Sequence, residues 1–404
     1  MSTDEIARLP GNSNRIQALL ELYAGLTPDQ LAEEATKLEN LPMTERMMAS
    51  FLLFGRWAEV DPTAAMTFSN TMGMAGNFVR PTILQSWASV DPANAAKYYS
   101  ENPREFTMMG MMGGRGPGGQ SGAGIIAGEW ARQDPAAAMA WAASLNAAEK
   151  GGAMTSVVSE IAKTDPRKAS EMIAQMDEGD RGGAYRSVAA QYGALDFAEA
   201  QTWIRTLPAD EQATALGSAI RGLSGTDPVA AAQQLTAMEA GDAKDRILDD
   251  VVENLARKDP LAAAELVRQQ DSEDAQRDGI RALIPAWTNQ DPAAALANAK
   301  SYPAGPVRDS AIQAWVMSNT AGSPAEVIKE AVAIEDDRDR NRSIGIAAMR
   351  WMREDPEAAK AYVAASPDLS DEAKERITEG RGMWGGRRGP GGGGGNRRQG
   401  GGGN

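Results

Sequence analysis

One short motif, Trp-x-x-x-Asp-Pro-x-x-Ala, returns along this chain about every 31 residues and constrains its fold more than any other feature. From Asp134 onward, every interval between motifs is 31 or 32 residues. A period held over this length is the signature of a repeat protein. The Asp-Pro pairs stand at Asp61, Asp91, Asp134, Asp165, Asp227, Asp259, Asp291 and Asp355, and Thr27-Pro28, Asp196-Phe197 and Ser323-Pro324 complete a series of eleven.

Each Asp-Pro pair predicts the start of a helix. The Asp carboxylate accepts hydrogen bonds from the free N–H groups of a first helical turn, and Pro at the first helical position has no N–H to lose. The residue before a Pro is driven out of the α region, so the preceding helix must end there. Apolar residues recur with helical spacing on both sides of the pair, as Ile161 and Val157 do before Asp165 and Ala169 and Met172 after it. Each repeat is therefore predicted to be an antiparallel pair of helices.

Two positions of the repeat predict how these helices pack. The residue four after the Asp is Ala in all nine repeats that have Asp, and the residue four before it is bulky. A small residue facing a large one lets two helices approach to about 8–10 Å. One pair cannot bury its own apolar face, so neighbouring repeats must stack around a continuous core. The expected fold is all-α, an α-solenoid of about eleven stacked antiparallel helix pairs.

The tryptophans of the motif have two interpretations. A regular series of aromatic residues could form a ladder that binds a ligand, but the fixed helical offset opposite Ala is what a packed core requires, and we predict core positions. Trp141 and Trp203, seven residues after their Asp, are the strongest exceptions, because they belong to the second helix.

The chain is expected to divide into three parts. Residues 1–12 form a lead, residues 13–380 form a single repeat domain, and residues 381–404 form a tail rich in Gly and Arg. The repeat domain is interrupted by a Met- and Gly-rich insertion at residues 108–120, which is expected to be a flexible loop. The tail cannot build a core and is expected to be disordered.

The composition narrows the possible functions. The formal charge is −14, and the body is more acidic still, because the tail carries five Arg and no acid. Such a surface repels nucleic acid and favours basic or neutral partners, although it also simply keeps a long repeat array in solution. The sequence has no Cys and no His, which removes thiol chemistry, the commonest general base and the commonest metal ligands. We predict that the protein is not an enzyme and uses no cofactor or metal.

The compartment is not fixed by the sequence. Residues 1–14 lack the pattern of a signal peptide, and no apolar stretch is long enough to cross a membrane. As written, the chain is expected to be soluble and cytoplasmic. A periplasmic location would follow if a leader has been removed.

Two features of the insertion resemble binding motifs. Gly114 to Gly119 fits the G-x-G-x-x-G dinucleotide pattern, but its flanks are helical repeats without the strand that the motif requires. The cluster of Met108, Met109, Met111 and Met112 offers thioethers that favour Cu(I). A flexible Met-rich loop that contacts a partner is the simpler interpretation.

Acidic clusters at 335–342 and at Asp249-Asp250 could hold a cation. We instead expect both at the joints and first turns of helices, where carboxylates are stabilised by the helix dipole.

The tail offers the only candidate site for nucleic acid. Arginine supplies phosphate contacts and tryptophan a plane for base stacking. The alternative is a contact between the basic tail and the acidic body. The candidate residues are Arg381, Trp384, Arg387, Arg388, Arg397 and Arg398.

The helix pairs and the Ala at close-contact positions over residues 13–380 resemble tetratricopeptide-like and HEAT-like α-solenoids. The 31 to 32 residue period and the Pro that opens the second helix differ from the tetratricopeptide signature. The resemblance implies a non-enzymatic scaffold that binds a protein or peptide on its curved surface. Binding of RNA or single-stranded DNA through the tail and an enzyme built on a helical toroid are the alternatives.

Overall fold

A computed structural model describes residues 2–106 and 121–367, together with residues 369, 371, 374 and 375. These residues form 23 α-helices and five short 3-10 turns, and no strand occurs among them. The prediction of an all-α chain of consecutive helix pairs is confirmed. The chain divides into two compact units, residues 1–226 and 227–404, and the single repeat domain over residues 13–380 stays a prediction.

In each repeat, the helix before the Asp-Pro position is here called the first helix and the helix after it the second helix. The first unit begins with a short helix, α1. Six first helices with their second helices follow, and one further first helix ends the unit. Its first helices are α2 (Asn12–Ala24), α4 (Met43–Val60), α6 (Gly76–Val90), α8 (Gly122–Gln133), α10 (Ala147–Ala162), α12 (Arg181–Leu195) and α14 (Ala209–Thr226). Its second helices are α3 (Pro28–Lys37), α5 (Pro62–Thr71), α7 (Pro92–Glu101), α9 (Pro135–Ser144), α11 (Pro166–Met172) and α13 (Phe197–Ile204). Helix α1 (Thr3–Ala7) lies in the predicted lead, where Thr3 hydrogen-bonds Tyr23 and Glu34.

The second unit continues the alternation. Its first helices are α16 (Asp242–Lys258), α18 (Glu273–Thr288), α20 (Pro306–Ser318) and α22 (Asp337–Glu354). Its second helices are α15 (Pro228–Ala237), α17 (Pro260–Arg268), α19 (Pro292–Ser301), α21 (Pro324–Ala331) and α23 (Pro356–Ala365). Every predicted start, including the three irregular ones, therefore begins a second helix.

A single Asp ends one helix and begins the next. The N–H of Asp91 donates to the carbonyl of Trp87 at 2.8 Å, and its carboxylate accepts the N–H of Asn94 at 3.2 Å. The same carboxylate cap, at 2.9 to 3.2 Å, occurs in all nine repeats that have Asp. One residue thus satisfies groups of both helix ends, which gives a tight corner without a longer loop.

Within each unit, the first helices pack against one another in chain order. Helix α4 contacts α6, α6 contacts α8, and this continues to α14, and α16 to α22 do the same. Within a unit, a second helix that lies between two first helices packs against both of them, as α5 does against α4 and α6 and α17 against α16 and α18. The first helices are parallel to each other, because one antiparallel helix separates each from the next.

The residues of the core lie at the repeat positions that the sequence predicts, but the bulky residue before the Asp has a contact that the sequence did not predict. The Ala four after each Asp is fully buried in all nine repeats, as predicted. In five repeats, however, the bulky residue four before the Asp is an aromatic ring that packs at a tilt against an aromatic ring seven after the Asp, with centroids 5.1 to 6.1 Å apart. Trp141 and Trp203 are the second members of two such pairs and pack against the core. The tryptophan series is therefore a core feature.

Candidate functional site

The large apolar side chains that are exposed in the described residues fall into two groups. Five of them flank Asp corners: Val60, Val90 and Leu195 directly before the Asp, and Val229 and Leu261 two residues after it. The other six lie on or just before the first helices of the first three repeats. Five of these six, Met43, Met47, Phe51, Met74 and Phe78, lie on or just before α4 and α6 and are here named the N-terminal apolar surface, and the sixth is Leu20 on α2. Single exposed apolar residues are ordinary, but a cluster of them marks an interaction site.

Three members of this surface form a stripe on α4. Met43, Met47 and Phe51 are spaced by four residues and are 71%, 50% and 43% exposed. Successive residues four apart stand about 6 Å apart along a helix, so the stripe covers about 12 Å of α4. Met48 and Leu52, which follow Met47 and Phe51 in sequence, are partly buried against the core.

Helix α6 continues the surface beside this stripe. A Cβ built on Gly55 of α4 would stand 3.7 Å from the Thr82 methyl and 3.4 Å from the Ser86 hydroxyl of α6. Phe51 lies one turn before Gly55, and Phe78, which is 63% exposed, lies one turn before Thr82. Because α4 and α6 are parallel, both phenylalanines lie about one helical turn to the N-terminal side of the contact between Gly55 and Thr82.

The charges around the surface are unbalanced. Residues 12–90 contain eight carboxylates and five cations. All five cations already bond groups of the first unit: Arg15, Lys37, Arg46, Arg56 and Arg80. Glu21 follows the exposed Leu20 in sequence, and Glu45 lies between Met43 and Met47 in sequence. Neither makes an ion pair among the described residues. Arg15, Arg46 and Arg80 donate to backbone carbonyls, which are neutral, so their positive charges remain, and residues 12–90 carry a net charge of −3 from eight carboxylates and five cations.

A second feature is a polar row that joins α6, α8 and α10. Gln85 donates to Glu129 at 2.9 Å, and Arg132 bonds both Glu129 at 3.0 Å and Glu160 at 2.7 Å. Lys163 pairs with Glu160 at 2.5 Å. The row borders a cleft of about 240 Å³ that is also lined by Ser156 and Ser159.

The electrostatics of this row indicate a structural role. Burial acts to raise the pKa of Glu160, but hydrogen bonds from Arg132 and Lys163 outweigh it, and the pKa lies below its ordinary value. The hydrogen bond from Glu160 likewise raises the pKa of Arg132. Glu129 is buried and satisfied by two donors. Glu160 is held ionised and both carboxylates are partnered, which suits cross-linking of neighbouring repeats better than proton transfer.

The acidic clusters are placed differently from one another. Asp336 caps α22 by accepting the N–H of Asp339 at 2.8 Å, and the buried Asp309 accepts the N–H groups of Glu335 and Asp336. The helix-start interpretation is confirmed for this segment. It is wrong for Asp249 and Asp250, which lie in the middle of α16, because no Asp corner or Pro breaks the chain there.

The remaining sequence candidates lie outside the described residues. This applies to the tail residues Arg381, Trp384, Arg387, Arg388, Arg397 and Arg398, and to the insertion with Met108, Met109, Met111 and Met112. In the ranges that the structure describes, no group of three His, Cys, Asp or Glu residues could hold a metal ion. No helix within those ranges is long and apolar enough to cross a membrane.

The sequence matches no protein-family model and no curated protein. The chain is thus defined by its architecture as an all-α helical-repeat protein.

The sequence interpretation did not include the N-terminal apolar surface. A signal was present, because Met43, Met47 and Phe51 repeat every four residues beside the core positions of α4. Helical spacing alone could not show whether a neighbouring helix covers these residues.

Proposed function

We propose that this protein is a non-enzymatic scaffold of the tetratricopeptide-like and HEAT-like solenoid type, and that it binds a protein partner at the N-terminal apolar surface. The exposed stripe of Met43, Met47 and Phe51 on α4 is the observation that carries the proposal. Exposing these side chains to water opposes stability, at about 25 cal/mol for each Å² of apolar area. A partner that covers them recovers this free energy.

Two further features support a protein ligand. Methionine side chains are flexible and polarisable, so a Met-rich surface adapts to the shape of a protein partner. The surface also lies on adjacent parallel helices, α4 and α6, which present a broad ridged face. Repeat proteins use such faces to bind extended partners.

The proposal is tested by affinity capture with the full chain and two double variants. Met47→Ser with Phe51→Ser removes the centre of the surface, and Val229→Ser with Leu261→Ser removes similarly exposed apolar residues at Asp corners. Substitution of exposed side chains leaves the free energy of unfolding within about 0.5 kcal/mol, which thermal unfolding checks.

We expect the parent and the corner variant to retain the same discrete proteins and the α4 variant to lose them. Retention of these proteins by all three chains, or by none, would contradict the proposal.

A further inference from the structure

We infer that a cleft in the second unit binds a short extended segment of a protein, through one peptide group and one apolar side chain. The cleft lies between the second helices α19 and α21 and has a volume of about 450 Å³. Its walls come from these two helices and from the corner between α20 and α21. The N-terminal apolar surface belongs to the first unit, so the inference does not depend on the proposed function.

The corner between α20 and α21 differs from the Asp corners of the second unit. Asn319 occupies the position of the Asp, and its N–H donates to the carbonyl of Trp315 at 2.8 Å. The second helix does not begin there, because α21 starts only at Pro324. The carbonyl of Asn319 accepts a hydrogen bond from Arg350 at 3.0 Å. The backbone of Asn319 is therefore fixed on both sides, without the carboxylate of an ordinary corner.

The side-chain amide of Asn319 is buried without a hydrogen-bond partner. Asn319 is 7% exposed and lines the cleft, and no hydrogen bond among the described residues uses its amide group. A Cβ built on Gly322 would clash with this amide, so the glycine makes room for it. Buried amides normally have hydrogen-bond partners, and one that lacks them at a cleft points to a ligand. An amide offers both a donor and an acceptor, as a peptide group does.

Part of the lining of the cleft is apolar and fixed in position. The indole N–H of Trp315 donates to the carbonyl of Pro292 at 2.7 Å, which holds the ring across the contact between α19 and α20. Ala293 and Leu296 of α19 also line the cleft. This lining suits an apolar side chain next to the peptide group that pairs with Asn319. Because the site is ordered before the ligand arrives, binding loses less conformational entropy.

The charges of the cleft favour a neutral ligand group. Its charged lining residues are Glu326, Lys329 and Glu330, all on α21. Glu330 forms an ion pair with Lys300 of α19, and Glu326 and Lys329 carry opposite charges, so the charges of these groups sum to zero. A neutral peptide group needs no excess charge in its site. Nucleic-acid bases can also pair with an amide, but the acidic chain repels their phosphates.

The test measures binding of a capped tripeptide of Ala, Leu and Ala to the full chain. Two ester analogues each replace one of the two peptide N–H groups beside the Leu with oxygen, and adenosine serves as a ligand with a base edge but no peptide group. Ligand-observed NMR titration at millimolar concentration gives each dissociation constant.

We expect one ester analogue to bind about fivefold more weakly than the tripeptide, because it loses the hydrogen bond to the amide oxygen of Asn319. Asn319→Ala should weaken the tripeptide and remove its advantage over both esters. Asn319→Asp keeps the shape but has no N–H to donate, so it should also weaken the tripeptide. Leu296→Ala should weaken all three ligands by a similar factor. Asn289→Ala, at an exposed position after α18, is the matched control and should leave binding unchanged.

Three outcomes would overturn the inference. The tripeptide could fail to bind at millimolar concentration, the Asn319 variants could bind it as tightly as the parent, or adenosine could bind more tightly than the tripeptide. Thermal unfolding checks that each variant folds, and Asn319→Asp decides if Asn319→Ala does not. Met47→Ser with Phe51→Ser should leave tripeptide binding unchanged, so failure of this inference and failure of the proposed function are distinguishable.

Discussion

Gly222 on α14 approaches Ala190 on α12 so closely that a Cβ built on the glycine would stand 1.8 Å from the alanine carbonyl oxygen. The contact is reciprocal, because a Cβ on Gly193 of α12 would stand 2.1 Å from the carbonyl oxygen of Ala219 on α14. Two consecutive first helices therefore meet backbone to backbone. This contact makes glycine indispensable at both positions.

Replacement of this glycine should destabilise the first unit. Gly222→Ala places a methyl group against a rigid backbone carbonyl, and such overpacking costs about 1–3 kcal/mol or more. Gly225→Ala on the same helix is the matched control, because a Cβ at that position would have no neighbour within 4 Å and alanine favours the helix by up to about 1 kcal/mol. Urea unfolding measures both. Equal effects of the two substitutions would show that α12 and α14 do not approach so closely.

The carboxylate caps of the Asp corners should each contribute to stability. Asp259→Ala removes the acceptor that holds the Ala262 N–H at 3.0 Å, and loss of such a cap costs about 1 kcal/mol. Asp259→Asn keeps an acceptor oxygen and should cost less. Ser323→Ala is the control, because the Ser323 side chain makes no capping hydrogen bond. Equal changes in the free energy of unfolding from Asp259→Ala and Ser323→Ala would rule out a stabilising role for the cap.

The buried alanines should not tolerate larger side chains. Ala231 is fully buried, so Ala231→Leu should cost about 1–3 kcal/mol through overpacking. Ala263→Leu should behave alike. Ala232→Leu, at a partly buried position beside the first, should cost less. Thermal unfolding of the three variants distinguishes them, and equal shifts would mean that the contact position is assigned wrongly.

The polar row should make stability depend on pH. The pKa of Glu160 in the folded protein lies below its ordinary value of 4.5, so its stabilisation is complete above about pH 4.5 and is lost as the pH falls through the folded pKa. Glu160→Gln should therefore be most destabilising near pH 7, and the difference from the parent should shrink in acid. Urea unfolding from about pH 3 to about pH 7 measures the effect.

Glu171→Gln is the control for this titration, because Glu171 is exposed and makes no ion pair among the described residues. A difference between the parent and Glu160→Gln that stays constant with pH would remove the electrostatic explanation.

The sequence alone was sufficient to predict the helices but not the N-terminal apolar surface. Asp and Pro at fixed positions act on their own helix turns, so every second helix could be located from local signals. Exposure depends on what packs above a residue. Leu20 and Phe54 occupy the same position, seven residues before the start of their second helices, yet Leu20 is 50% exposed and Phe54 is fully buried. In the described part of the chain, no earlier repeat packs against α2.

The most direct test of the proposed binding surface is photo-cross-linking in cells that make this protein. A photoreactive phenylalanine analogue replaces Phe51 in one chain and Leu261, which is 70% exposed at an Asp corner, in another. We predict that position 51 cross-links to a discrete protein partner and position 261 does not. Equal cross-linking from both positions, or none from position 51, would contradict the assignment of the N-terminal apolar surface as the binding site.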